Sequence, residues 1–243
     1  TPMIGISLYV LTFVVTVPAV KSPVSMNFWI PFALLRIVRT LRGSPPRMRE
    51  ELVGAGGAGF PTAVKLKTEI PNGAFIANAA ECEPLLAHNI HQIEEHAAEL
   101  VRGVKYAMEI TKAPKGYIAI KPKHKKAVIE LIKAVRNEDN IDVFRLPDMY
   151  PAGDERVIVR EVMGIELEPG QLPGTVGACI DNVETLKNIV RAIEDRKPVI
   201  DKDITVSGRV AHKESVFVDV PVGTPMGDLI ERAGGFINPH GEI

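Results

Sequence analysis

The sequence is short of cysteine, of aromatic side chains and of net charge. Its 243 residues include two cysteines, Cys82 and Cys179, far apart and in neither C-x-x-C nor zinc-type spacing. A disulfide scaffold is therefore not expected, these residues hold no cysteine set for an iron–sulfur cluster, and a reducing compartment is the natural setting. Net charge is −1 and aromatic content 5%, so no basic stripe interleaved with aromatics offers itself to nucleic acid. Repeats and low-complexity tracts are absent too. What remains, 46% hydrophobic and 24% charged residues, is the composition of an ordinary globular protein of one or two domains.

The first 46 residues differ from the rest. Ile4 to Val20 is an uncharged run at the short end of what crosses a bilayer, followed by Lys21, Arg36, Arg39, Arg42, Arg47 and Arg49. As a membrane anchor it would leave the remainder on the cytoplasmic side. No basic region precedes the run, so a signal peptide fits less well. The next piece, "MNFWIPFALLRIVRTLRG", suits a membrane surface. The competing reading is that 1–46 is not native globular sequence, since composition changes abruptly at "GSPPRMREE".

From Met48 onward helical and strand patterns alternate. A short helix is expected over 48–53, strands in "GAFIANAAE", "GYIAIK" and "IDVFRL", and helices in "HNIHQIEEHAAELVRGVKYAMEIT", "KHKKAVIELIKAV", "DERVIVREVMG" and "NVETLKNIVRAIEDRK". "IELEPGQLPGTVGA" reads as loop. The alternation predicts an α/β fold, a Rossmann-like and mostly parallel sheet flanked by helices, over 47–197. A second unit, 198–243, shows two strands, a turn at "PVGTP" and a short helix closed by Gly234–Gly235, which suits a small β-grasp module.

Four stretches carry candidate chemistry. "GAGGAGFPT", with Gly54, Gly56, Gly57, Ala58, Gly59 and Phe60, could turn backbone N–H groups toward a phosphate or a flat ring, with Lys65 supplying positive charge. Its spacing is neither G-x-x-x-x-G-K-[ST] nor a strand-linked G-x-G-x-x-G. On its own it is equally a tight turn. "NAAECEP" puts Asn78, Glu81 and Glu83 at a strand's C-terminal end, where open α/β sheets hold ligands, or else forms an acidic loop before a helix. "YPAGDE" repeats that logic with Tyr150, Gly153, Asp154 and Glu155, while "DNVETL", with Asp181 and Asn182, can equally be a helix cap. The two cysteines read as small buried hydrophobes. His88 and His91 share a helix face that His96 does not clearly join, a poor metal set.

Together and in this order, the four stretches resemble the flavin- and NADH-binding subunit of respiratory complex I, whose members carry G-R-G-G-A-G-F-P, N-A-D-E-x-E-P, Y-x-x-G-E-E and N-N-V-E-T-L. "GAGGAGFPT" and "NAAECEP" look closer to the C subunit of the Rnf ferredoxin:NAD oxidoreductase and to the proline reductase-associated electron transfer protein of clostridia. The resemblance covers about residues 48–243. It implies FMN held by the glycine loop, Lys65, Asn78 and Asn182, with Phe60, Glu81, Glu83 and Glu155 placing NADH. It also implies an electron-transfer complex with a ferredoxin-like partner at the cytoplasmic face of a membrane. The family's 4Fe–4S cysteines would follow Ile243 and a biotinyl-like domain would precede the match, so a piece truncated at both ends is expected.

The departures are Ala55 where the complex I loop has arginine, Ala80 where it has aspartate, and "LKTEI" where an aromatic follows the lysine. They favour the main alternative, an assembly or binding subunit that keeps the fold without a working flavin site. A non-redox nucleotide-binding protein is the third reading, which the absence of a phosphate-loop consensus disfavours.

Overall fold

The computed structural model describes residues 54–55 and 59–237. The hydrophobic segment over 1–46, the helix expected over 48–53 and the middle of the glycine loop, Gly56 to Ala58, lie outside the described residues. Among the described residues no helix is long and apolar enough to cross a membrane.

Strand β1, Ala74–Ala79, is apolar on both faces because it lies inside a parallel sheet covered on both sides. Phe75, Ala77 and Ala79 face one core, and Ile76 faces the other. Sealing a side chain the size of Phe75 is worth about 2–3 kcal/mol. Strands β2, Lys115–Ile120, β3, Ile141–Arg145, and β4, Ala178–Asn182, complete a four-stranded parallel sheet in the order β3-β2-β1-β4. The direction of winding reverses between β1 and β4, and the C-terminal ends of those strands flank the switch point where such folds bind ligands.

A four-residue helix α1, Thr62–Lys65, precedes the sheet. Helix α2, His88–Thr111, buries Ile93, Leu100, Val104, Ala107 and Met108 at i, i+3 and i+4 spacings. It changes direction at His96, whose φ of −134° is not helical. With α3, Lys125–Ala134, and α5, Val183–Glu194, it covers one face of the sheet. Helices α2 and α5 approach closely where Gly103 meets Leu186: a β-carbon there would lie 2.7 Å from the Leu186 carbonyl oxygen. Helix α4, Glu155–Met163, covers the other face with Ile158 and Val159.

Strand β4 lies where the sequence suggested loop and helix cap. "ACIDN" has little intrinsic strand preference, and its pairing with β1 makes it a strand. The stretch before it is irregular apart from one 3-10 turn, Pro173–Val176.

Strands β5, Asp201–Ser207, and β6, Glu214–Pro221, form an antiparallel hairpin, backed by α6, Met226–Arg232. Helix α6 ends as the glycine pair implied: Gly235 N–H donates to Ile230 O and Gly234 N–H to Glu231 O, both glycines at positive φ. Beyond the hairpin and α6, the described residues add to the expected β-grasp module only an isolated bridge between Val210 and Phe236. The hairpin packs on the α/β domain. Thr205 Oγ1 accepts from the Ala87 and His88 N–H groups at 3.0 Å each and lies 3.0 Å from His88 Nδ1, so β5 supplies the N-terminal cap that α2 lacks in its own sequence. Burial lowers the His88 pKa, which suits a neutral ring accepting the Thr205 hydroxyl proton.

Candidate functional site

The glycine loop closes on itself. Gly54 N–H donates to Phe60 O at 2.9 Å, and Gly59 has φ +61°, a left-handed conformation open to glycine at little cost. Ala55 N–H donates to Thr185 Oγ1 at 2.9 Å, which moors the loop at the N-terminus of α5. There Asn182 Oδ1 accepts from Glu184 N–H at 2.8 Å, so the cap reading of "DNVETL" holds. Phe60 is half exposed beside this opening.

Lys65, the last residue of α1, reaches the end of β4. Its Nζ lies 2.8 Å from Ile180 O, 3.1 Å from Glu155 Oε1 and 3.7 Å from Asp181 Oδ1. Burial alone would lower the lysine pKa, but Asp181 and Glu155 outweigh it and raise the value, so the ammonium stays charged. Asp181 is 4% exposed, and its Oδ2 is buried without a hydrogen-bond partner among the described residues. Burial pushes its pKa up to about 6; Lys65 pulls the other way and Glu155 adds to the rise. A charged lysine and an orphaned carboxylate oxygen thus face the switch point together.

Three predicted residues knit the adjoining loops. Asn78 Nδ2 donates to Gly153 O at 2.9 Å, and Asn78 Oδ1 accepts from Ala80 N–H at 3.0 Å, so the amide ties β1 to the loop that opens α4. It retains one N–H and one lone pair for a ligand. Gly153 N–H donates to Cys82 Sγ at 2.9 Å, and a β-carbon on Gly153 would lie 2.5 Å from Ala80 O. Asp154 caps α4 through Arg156 N–H at 2.9 Å. Glu81 is held by Glu83 N–H and Asn89 Nδ2, whereas the Glu83 side chain is exposed. Tyr150 is 77% exposed.

The structure brings Gly54, Gly59, Phe60, Lys65, Glu155, Asp181 and Asn182 around the β1/β4 end, with Asn78 and Gly153 as the brace beside them. Glu81, Glu83 and Tyr150 open instead onto a cleft of about 290 Å³ formed by the loops after β1, β2 and β3. Sequence reading did not single out Thr185, nor Lys121, Lys123 and His124, which line that cleft. For the last three the available signal was their position just beyond a strand end.

The family model described as the Nuo51 FMN-binding domain matches residues 48–191. The chain belongs to this family. Among curated relatives, cobalamin reductase PduS of Salmonella typhimurium is 44% identical over 184 residues, 76% of this chain and 40% of the relative. The C subunit of the Na(+)-translocating ferredoxin:NAD(+) oxidoreductase complex of Acetobacterium woodii is 32% identical over 196 residues, 79% of this chain and 44% of the relative. The chain therefore spans less than half the length of these relatives. An NAD+-reducing [NiFe]-hydrogenase in the H2-reduced state shares the fold, with a TM-score of 0.69 at 21% identity over 85% of this chain and 40% of that one. The Nuo51-type domain is by family an FMN-binding one, in keeping with the expected cofactor. The α5 N-terminus suits the phosphate of such a ligand, and the orphaned Asp181 oxygen suits a hydrogen-bond donor on its polar part.

Proposed function

We propose that the chain is an electron-transfer flavoprotein module working between NADH and iron–sulfur centres, as a subunit of an Rnf-like or reductase-associated complex. The carrying observation is the convergence of the glycine loop, Lys65, Asp181 and the α5 N-terminus on the β1/β4 switch point, in a chain of the FMN-binding family. When bound, FMN supplies hydride exchange with a nicotinamide and single-electron exchange with clusters.

The protein's share is binding and orientation. Gly56, Gly57, Ala58 and Gly59 would offer backbone amides, Gly54 would close the loop through its bond to Phe60 O, and Lys65 and Asn182 would add a cation and a polar side chain. Asn78 would hydrogen-bond the cofactor while bracing Gly153. Phe60, Glu81, Glu83, Tyr150 and Glu155 would place the nicotinamide nucleotide. The relatives support partners of two kinds, other subunits of an electron-transfer complex and a ferredoxin-like protein. 4Fe–4S clusters would belong to a C-terminal part beyond these residues, and the setting would be peripheral at the cytoplasmic face of a membrane. The test is FMN added to the full chain. Quenched flavin fluorescence and anaerobic bleaching by NADH are expected; unchanged fluorescence would overturn the reading.

A further inference from the structure

The end of β4 carries an acceptor for which the described residues supply no donor. Asp181 is 4% exposed and directly precedes Asn182, the N-cap of α5. Its Oδ1 lies 3.7 Å from Lys65 Nζ, beyond hydrogen-bond distance, and its Oδ2 is buried with no hydrogen-bond partner among the described residues. The lysine donates instead to Ile180 O at 2.8 Å and to Glu155 Oε1 at 3.1 Å. A buried carboxylate oxygen without a donor is costly, and a ligand group that brings one removes the cost.

The surroundings narrow what that group is. Ala55 N–H is bonded to Thr185 Oγ1 in the first turn of α5, so the glycine loop is moored one helical turn along from Asp181. The charged groups acting on Asp181 are Lys65 from α1 and Glu155 from α4. Cys179, on its own strand, is a thiol that burial keeps neutral. Glu184, in the first turn of α5, faces away and accepts from Asp203 N–H and Lys202 Nζ. With one cation already set between two carboxylates, the complement of Oδ2 itself is a neutral N–H or O–H donor.

We propose that Asp181 is a positioning residue for the flavin, its Oδ2 accepting a hydrogen bond from an N–H or O–H of the cofactor, so that capture of FMN in mild acid expels a proton from this carboxyl group to solvent. The inference rests on the flavin reading above and adds a proton balance to it. Burial pushes the Asp181 pKa up to about 6 in the flavin-free chain, and a donor bonded to the ionised form pulls it down. Affinity is therefore full above about pH 6 and falls as the free site takes up its proton below it.

The test titrates FMN fluorescence with the full chain and with Asp181→Asn between pH 5 and pH 7. The ratio of the two dissociation constants is read at each pH, which cancels the titration of the FMN phosphate common to both. The variant's amide oxygen still accepts but carries no titrating proton, so the parent should lose about five- to tenfold more affinity than the variant over this range. The Asp181 carboxyl carbon, assigned by NMR from its loss in the variant, should titrate near pH 6 without FMN and at least about one unit lower with it. 3-Methyl-FMN, which lacks the ring imide N–H, separates the two donor sources: losing the pH-dependent ratio assigns the bond to the imide, and keeping it assigns the bond to a ribityl hydroxyl. A ratio flat with pH, or a carboxyl midpoint that stays or rises when FMN binds, would overturn this proposal alone. No FMN binding at any pH would overturn the flavin reading and this proposal with it.

Discussion

Lys187 Nζ lies 2.6 Å from Asp203 Oδ2, and both side chains are almost wholly sealed from water. One belongs to α5 and the other to β5, so the pair fastens the hairpin to the domain whose helix frames the switch point. Around it Asp219 joins Lys187 at 3.2 Å and Arg191 at 2.6 Å, and Glu184 receives Asp203 N–H at 2.9 Å and Lys202 Nζ at 2.5 Å. Removing one member strands a buried charge. Lys187→Met is expected to cost about 3–5 kcal/mol in urea unfolding, and the double variant Lys187→Met/Asp203→Leu to recover most of it.

Acid should loosen the same junction from its rim. Burial would raise the Asp219 pKa, but Arg191 and Lys187 outweigh it and hold the value down to about 2. A depressed carboxylate contributes stability that is present above its unfolded value, near 3.8, and is lost as pH falls through about 2. Unfolding curves between pH 4 and pH 2 should weaken faster for the parent than for Asp219→Asn. Parallel losses would show that the pair adds nothing.

Asp181 has the opposite sign. Its native pKa of about 6 lies above the ordinary value of 3.8, so the native state holds the proton more tightly and stability falls as pH rises from about 4 through 6. Asp181→Asn should therefore gain on the parent by on the order of 1–3 kcal/mol between pH 4 and pH 7.5. A difference that stays flat with pH would contradict this.

Gly153→Ala should act on the site more than on the fold. The new β-carbon would meet Ala80 O at 2.5 Å and Cys82 Sγ at 2.7 Å, forcing the Tyr150–Glu155 loop away from the end of β1 and stretching the Asn78 to Gly153 hydrogen bond. The expected cost is about 1–3 kcal/mol in stability, with FMN affinity falling as well, measured by fluorescence titration.

How much of this could be read beforehand depended on the kind of interaction. Helix α2 was legible over His88–Thr111 because its apolar stripe is long and regular, and the Gly234–Gly235 stop because that motif is local. The change of direction at His96 was not legible, since no proline or glycine marks it. β4 was missed because "ACIDN" becomes a strand only by pairing with β1. In the site, the glycine loop and Asn182 carried local signatures. Lys121 and Thr205 carried none: "IAIKPKHKK" reads as a solvated lysine run until three loops close over one member of it, and the Thr205 cap serves a helix more than a hundred residues earlier in the chain.

The position of Lys65 has a consequence for the strand beside it. β4 pairs only with β1 among the described strands, so the Ile180 carbonyl that Lys65 occupies points outward from the rim of the sheet. The residue that lends charge to the candidate cradle is therefore also part of the cover on β4, whose residues Ala178 to Asp181 are buried although the strand has one strand neighbour. The cover on a strand end and the charge offered to a ligand converge on one ammonium group, and a substitution chosen to remove the second would also strip the Ile180 carbonyl of its donor.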